Sequence, residues 1–161
     1  MANKNQPNGL KPHGELIRAR KYVAGSTVYP GDPVAIATDG KVDPSITVPL
    51  LGVALNYAVA DENVMIADHP DQMFEVEADE ALVQADMSGN YELVLGSPST
   101  TYKRSACYLD GSTIATTATL AVKALAIADG IDNAAGSDNV NVIVKINNHV
   151  LNGGTGTAGL A

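Results

Sequence analysis

The sequence predicts an all-β domain, compact and barrel- or sandwich-like, with an extended N-terminal arm and room for one short helix. Three observations predict it. Eight or so short segments alternate apolar with polar residues at period two, as half-buried strands do. Clusters of Gly, Pro, Asp and Asn separate them. Only 4% of the residues are aromatic, with Phe74 the one Phe and no Trp, so Val, Ile, Leu, Ala and Tyr must build the core. Such small, branched side chains suit pleated surfaces. The length of 161 residues fits one domain. A chain this long buries roughly 68–70% of its unfolded surface and needs no staples. The division expected is an arm over 1–14, a β-rich domain over 15–151 and a flexible Gly/Thr tail over 152–161.

The arm is polar and shows no periodicity. From Glu15 to Val23 the chain mixes large polar and apolar groups, as a half-exposed strand would. Thr27-Val28-Tyr29 leads into the turn Pro30-Gly31-Asp32-Pro33, whose prolines exclude a helix. Val34 to Thr38 is a strand, and Asp39-Gly40 predicts a type I′ hairpin into Lys41-Val42. Leu51, Val53, Leu55 and Tyr57 alternate with smaller residues and favour a strand. Val64 to Ala67 is another candidate. After a turn at His69-Pro70-Asp71, Phe74, Val76 and Ala78 alternate with Glu75 and Glu77, the clearest one-face-in strand of the chain.

Residues 79–87 could form the short helix, on the spacing of Leu82, Val83 and Met87. Tyr91 to Leu95 is a strand after the turn Ser88-Gly89-Asn90. Ala106 to Leu109 is a strand closed by an Asp110-Gly111 tight turn. Thr119 to Ile127 reads as a helix or as a strand. In the second case its two out-of-phase alternations require a bulge near Lys123-Ala124. Val140, Val142, Val144 and Ile146 share one face of the last strand.

The net charge of −8 disfavours direct nucleic-acid binding, which is driven by Lys and Arg displacing counterions. No apolar run reaches the length needed to span a bilayer, and the N-terminal residues lack the apolar core of a signal peptide, so no membrane role and synthesis in a host cytoplasm are expected. The single cysteine, Cys107, sits in a strand-like run and reads as a small buried hydrophobe. No phosphate-binding loop, dinucleotide fingerprint, metalloprotease helix or Cys-x-x-Cys pair occurs, so no enzyme activity, cofactor or metal site is expected. Asp68-His69-Pro70-Asp71 is the densest polar cluster and reads as a turn fixed by Pro70. Glu75 and Glu77 read as a solvated strand face, with a charged partner surface as the alternative.

Charge is segregated along the chain. Lys4, Lys11, Arg18, Arg20 and Lys21 make the first 21 residues basic, with Glu15 alone opposing. From Asp61 to Glu92 there are ten acidic residues and no Lys or Arg. That pattern suits contact between neighbours in an assembly, or closure within one chain. Contact with a neighbour or partner is accordingly assigned to Lys4, Lys11, Arg18, Arg20, Lys21, His69 and Asp71.

Five blocks occur in a fixed order. They are Val28-Tyr29-Pro30-Gly31-Asp32-Pro33-Val34, Asp39-Gly40-Lys41-Val42, Leu51-Gly52-Val53-Ala54, His69 to Asp79 (H-P-D-Q-M-F-E-V-E-A-D), and Val144-Lys145-Ile146-Asn147-Asn148-His149. This succession resembles the head decoration, or cement, proteins of tailed bacteriophages over about residues 15–150. The resemblance implies a β-rich virion protein on the outer surface of the phage head. It implies that the protein is a homotrimer there, binds where major capsid proteins meet, and clamps the expanded shell. Another virion component of tail or baseplate, or an outward-facing module for glycan or host surface, is the alternative.

Overall fold

The computed structural model describes residues 3–160. Eleven strands form among these residues, in two sheets. In chain order they are β1 (Lys11–Pro12), β2 (Arg20–Val23), β3 (Pro33–Ile36), β4 (Val42–Pro44), β5 (Gly52–Ala54), β6 (Asn63–Ala67), β7 (Met73–Glu77), β8 (Asn90–Val94), β9 (Tyr108–Ala115), β10 (Val122–Ile127) and β11 (Asn141–Ile146). The larger sheet runs β1-β7-β11-β10-β8-β9 and the smaller β2-β6-β5-β3-β4, with antiparallel neighbours throughout. A single bridge, Ala78 to Leu109, ties β9 back toward β7, but the sheet does not close. The domain is therefore sandwich-like, and of the two forms expected the barrel is not the one adopted.

Period-two patterning explains the main core. Phe74 and Val76 on β7 and Val142 and Val144 on β11 are all buried, and β11 pairs with β7 in that register. They pack with Tyr91, Leu93 and Val122, and with Val53 and Ala67 of the smaller sheet. Truncating a ring buried like Phe74 to Ala costs roughly 3–5 kcal/mol. A second cluster, with Val28, Val34, Val42, Leu51, Val64 and Ile66, lies on the other face of the smaller sheet. That sheet is thus covered on both sides. This is why Leu50 to Ala54 is continuously apolar and all of β5 is buried.

Gly52 is required where β5 meets the end of β6. A Cβ there would stand 2.1 Å from the Ala67 carbonyl oxygen and 3.0 Å from the Asp68 Cα.

Of Thr119 to Ile127 only Val122–Ile127 is strand, as β10, and its register against β11 slips between Ala124 and Ala126. The slip lets Val122 and Ala124 face the core while Ile127 packs on its margin. Several turns differ from expectation. At Asp39-Gly40 only Gly40 takes a positive φ, of 80°. Its N–H donates to the Ala37 carbonyl, and Ala37 and Lys41 close the loop. This is a type I turn with a left-handed Gly, not type I′. Asp110-Gly111 is no turn either. It lies within β9, where the pairing jumps from Glu92–Asp110 to Asn90–Ala115 and the extra residues bulge outward. Over 79–87 only Gln84–Asp86 is helical, as one 3-10 turn, because Gly136 and Ser88 draw the flanking main chain into other hydrogen bonds.

Both described ends pack on the body; residues 1, 2 and 161 lie outside the described residues. The segment read as an extended arm over 1–14 is docked from Asn3 to Pro12. Leu10, the one large aliphatic residue of that stretch, is buried, its N–H donates to the Gly31 carbonyl, and β1 pairs with β7. The crossing is close: a Cβ on Gly9 would meet the Gly31 oxygen at 2.5 Å, and Gly9 has a φ of +77°. The Gly/Thr tail is docked as well. The Thr157 carbonyl accepts from Asn90 and Asn147, and the Leu160 N–H donates to Ser88. Polar composition alone hides such anchoring, since the partners come from distant β8, β10 and β11.

Candidate functional site

Asp68 follows β6 directly and is fully buried. Its carboxylate is surrounded by the basic run of the N-terminal segment. Arg18 Nε donates to Oδ1 at 2.8 Å, Tyr22 OH donates to Oδ2 at 2.6 Å, and Arg20 Nε stands 3.7 Å from Oδ2. Residues two apart on an extended chain share a face, so Arg18, Arg20 and Tyr22 all reach one acceptor. Burial, and then the Asp68 hydrogen bond and charge, push the Tyr22 phenol up to about 12.

The next four residues make a tight turn. Gln72 N–H donates to the His69 carbonyl, and Asp71 N–H donates to His69 Nδ1 at 3.0 Å. Pro70 fixes the backbone between them. Gln72 is buried and pins the N-terminal segment a second time. Its Oε1 accepts from Ile17 N–H at 2.8 Å, and its Nε2 donates to the Glu15 carbonyl at 3.2 Å and the Met73 carbonyl at 3.0 Å. Both polar atoms of the amide are used, in three hydrogen bonds, which makes Gln72 a fixed post.

The last block of the chain closes the arrangement. Lys145 on β11 pairs with Asp71 at 2.9 Å and holds that carboxyl below its usual range. Both groups are exposed, so the pair contributes little stability. His149 is buried and bridges to Leu50; its Nδ1 accepts from Leu151 N–H at 3.1 Å. Its Nε2 meets no hydrogen-bond partner of good geometry. Burial holds the imidazole below its ordinary range, against the opposing pull of the Asp68 carboxylate and the main chain of Leu51 and Asp68.

The H-P-D-Q, L-G-V-A and V-K-I-N-x-H blocks therefore meet in one place. Beside them Asp68 and Gln72 form a clasp that fastens residues 15–22 to the body. Leu16 and Ile17 remain exposed although their backbone is pinned, and Met73 is exposed next to Gln72. Three exposed apolar side chains thus stand beside the clasp.

Of the residues assigned to contact, Arg18, Arg20, His69 and Asp71 come together here. For Arg18, Arg20 and Asp71, the charge pattern closes within the chain. Lys4, Lys11 and Lys21 do not join them, and form no ion pair among the described residues. Lys21 lies on β2 opposite Met65, and Lys11 lies on β1 opposite Glu75. The hub, Asp68, was missed as a site residue, as were Tyr22, Gln72 and His149. The signal was present in the period-two spacing of Arg18, Arg20 and Tyr22.

Glu77 overturns the solvated-face reading at its own position. It is buried, and both carboxylate oxygens accept from Gln6 N–H at 3.1 Å. Burial raises its pKa, with the Gln6 bond opposing. Cys107 is wholly buried, and burial pushes its thiol up, as an inert core thiol requires. No group of three or more His, Cys, Asp or Glu among the described residues is placed to share a metal ion. No helix among them is long and apolar enough to cross a membrane. Tyr29 and Tyr57 lie 5.3 Å apart, and the Lys103 ammonium covers the Tyr57 ring at 4.7 Å.

No protein-family profile matches the chain, and no curated protein matches it significantly.

Proposed function

We propose that this chain is a virion structural protein that binds the outside of a tailed-phage head and clamps neighbouring major capsid proteins. The observation that supports this reading is the clasp. Asp68 and, within the H-P-D-Q block, Gln72 spend their side chains on fastening residues 15–22. Leu16 and Ile17 are thereby presented outward on fixed backbone, so docking them against a shell costs little ordering entropy. A clamp of this kind needs no reactive group. Modest contacts repeated by symmetry hold the shell through avidity. On the head the protein acts as a homotrimer, in which strand edges find cover.

The test is co-sedimentation of the purified protein with expanded heads of the encoding phage that lack it, followed by cryo-EM. Saturable binding, with density at three-fold or quasi-three-fold positions outside the shell, is expected. The double variant Leu16→Asp/Ile17→Asp should fold and lose binding. Density on the tail, or no binding by the parent protein, rules the reading out.

A further inference from the structure

Two features at opposite ends of the docked N-terminal segment complement each other. The first is the loop between β10 and β11, residues 128–140. Asn133 clamps its base, with Nδ2 donating to the carbonyls of Ala128 at 2.7 Å and Asn141 at 2.9 Å, and Oδ1 accepting from Asn141 N–H at 2.8 Å. Asn3 clamps its far limb. Its Oδ1 accepts from Ala134 N–H at 2.8 Å and its Nδ2 donates to the Ala134 carbonyl at 3.1 Å. Between the clamps Ile131 stands fully exposed, flanked by Asp129 and Asp132. A lone exposed aliphatic side chain on a loose loop is ordinary. Here the loop is held by several side-chain hydrogen bonds, so the apolar tip is presented on a preorganised finger.

The second feature is a groove of about 330 Å³ at the Leu10–Pro12 end. Leu10, Pro12, Pro30 and Leu55 line it, and Lys11 and Arg104 stand on its rim. Neither cation forms an ion pair among the described residues. The finger is apolar at its tip and acidic on its flanks; the groove is apolar at its floor and basic at its rim. An Ile side chain fits a cavity of that size, and the charges match in sign.

We propose that this chain associates with a second copy of itself through these two surfaces. The Ile131 finger of one copy seats in the Leu10–Leu55 groove of the next, with Asp129 and Asp132 against Lys11 and Arg104. The two patches differ, so the contact is heterologous and propagates head to tail until rotation closes a ring. The contact deepens the virion reading by supplying an interface for its homotrimer, and free protein suffices to test it, because both surfaces belong to this chain.

The experiment is to mix purified Lys11→Cys and Ile131→Cys variants with a short bis-maleimide linker. Both sites are exposed, and Cys107 is buried. The mixture should give about tenfold more covalent dimer than either variant alone, since the contact raises the local thiol concentration. In parallel, Lys11→Glu/Arg104→Glu and Asp129→Lys/Asp132→Lys are each followed by sedimentation velocity over a concentration series. Each charge reversal alone should weaken self-association by about tenfold, and mixing the two should restore it. Equal cross-linking in all three samples overturns the proposal, as does failure of the charge swap to restore association. A groove reversal that leaves self-association intact but abolishes binding to expanded heads also overturns it, and assigns the groove to the shell protein.

Discussion

Asp68 and Glu77 are both buried carboxylates that hold part of the N-terminal segment to the body. Asp68 is met by two guanidinium groups and a phenol, all from residues 18–22. Glu77 is met by one backbone N–H, that of Gln6, and by no cation within ion-pair distance among the described residues. The difference is one of compensation. A buried charge is tolerated when opposite charge and hydrogen bonds replace its lost water, and otherwise it drifts toward its neutral form. The Asp68 end is thus a lock that depends on charge. At the Glu77 end burial outweighs the Gln6 hydrogen bond, so the neutral carboxyl is the better tolerated form.

The largest effect should come from Asp68→Ala, which strands Arg18 and Tyr22 beside a partly buried vacancy. Removing one partner of a buried pair costs about 3 kcal/mol or more. Urea unfolding would report it as a lower midpoint. A loss near that of an ordinary surface substitution would mean that Asp68 is no lock. Gly52→Ala attacks the same end from beneath, because its Cβ would press on the Ala67 carbonyl and on Asp68. Since the obstacle is backbone, β5 and β6 must part, and about 2 kcal/mol should be lost. Thermal unfolding would register the shift.

Tyr22→Phe should cost about 1.5 kcal/mol, the value of a hydrogen bond to a charged group. It also carries a pH signature. The folded phenol is raised from 10.0 to about 12, so its stabilising contribution is complete below pH 10 and lost as pH rises through about 12. The parent protein should lose stability across that window and the Phe variant should not gain or lose this part. Spectrophotometric titration of the folded parent beside the Phe variant would assign the Tyr22 step, since burial raises the Tyr91 phenol as well.

The smallest effect sharpens the Glu77 side. Its folded pKa lies above the ordinary 4.5, so its contribution favours folding below that value and fades as pH rises through the folded pKa. Stability of the parent should therefore increase on acidification just above pH 4.5, by a part that Glu77→Gln lacks. Paired urea titrations at neutral and mildly acid pH would show it. Identical pH slopes in the two proteins would mean that Glu77 is solvated after all.

Much of the fold was legible because period-two patterning responds to one nearby apolar face. The Phe74/Val76 and Val142/Val144 alternations face the core as the residues promised. The two out-of-phase halves of Thr119 to Ile127 were reconciled by a slip within one residue or two of Lys123-Ala124. The His69-Pro70-Asp71 turn is also present, since Pro and the short polar side chains act locally. The candidate site was read less well. Charge counting singled out Arg18 and Arg20 but passed over Asp68, because an Asp in an acidic stretch looks no different from its exposed neighbours. Glu75 and Glu77 occupy the same alternating face of β7, yet Glu77 is buried and Glu75 only half-covered. What separates them is Gln6, some seventy residues away in sequence.

By itself the sequence determined an all-β chain, the strands that feed its core and the tight turn after β6. Each follows from local sterics and from which residues avoid water. Only the tertiary structure decided that the strands form two sheets that stop short of a barrel, that both described ends dock on the body, and that a single buried carboxylate gathers Arg18, Arg20 and Tyr22. Those outcomes depend on which distant segment covers a given edge or replaces the water around a given charge, and no local pattern carries that information.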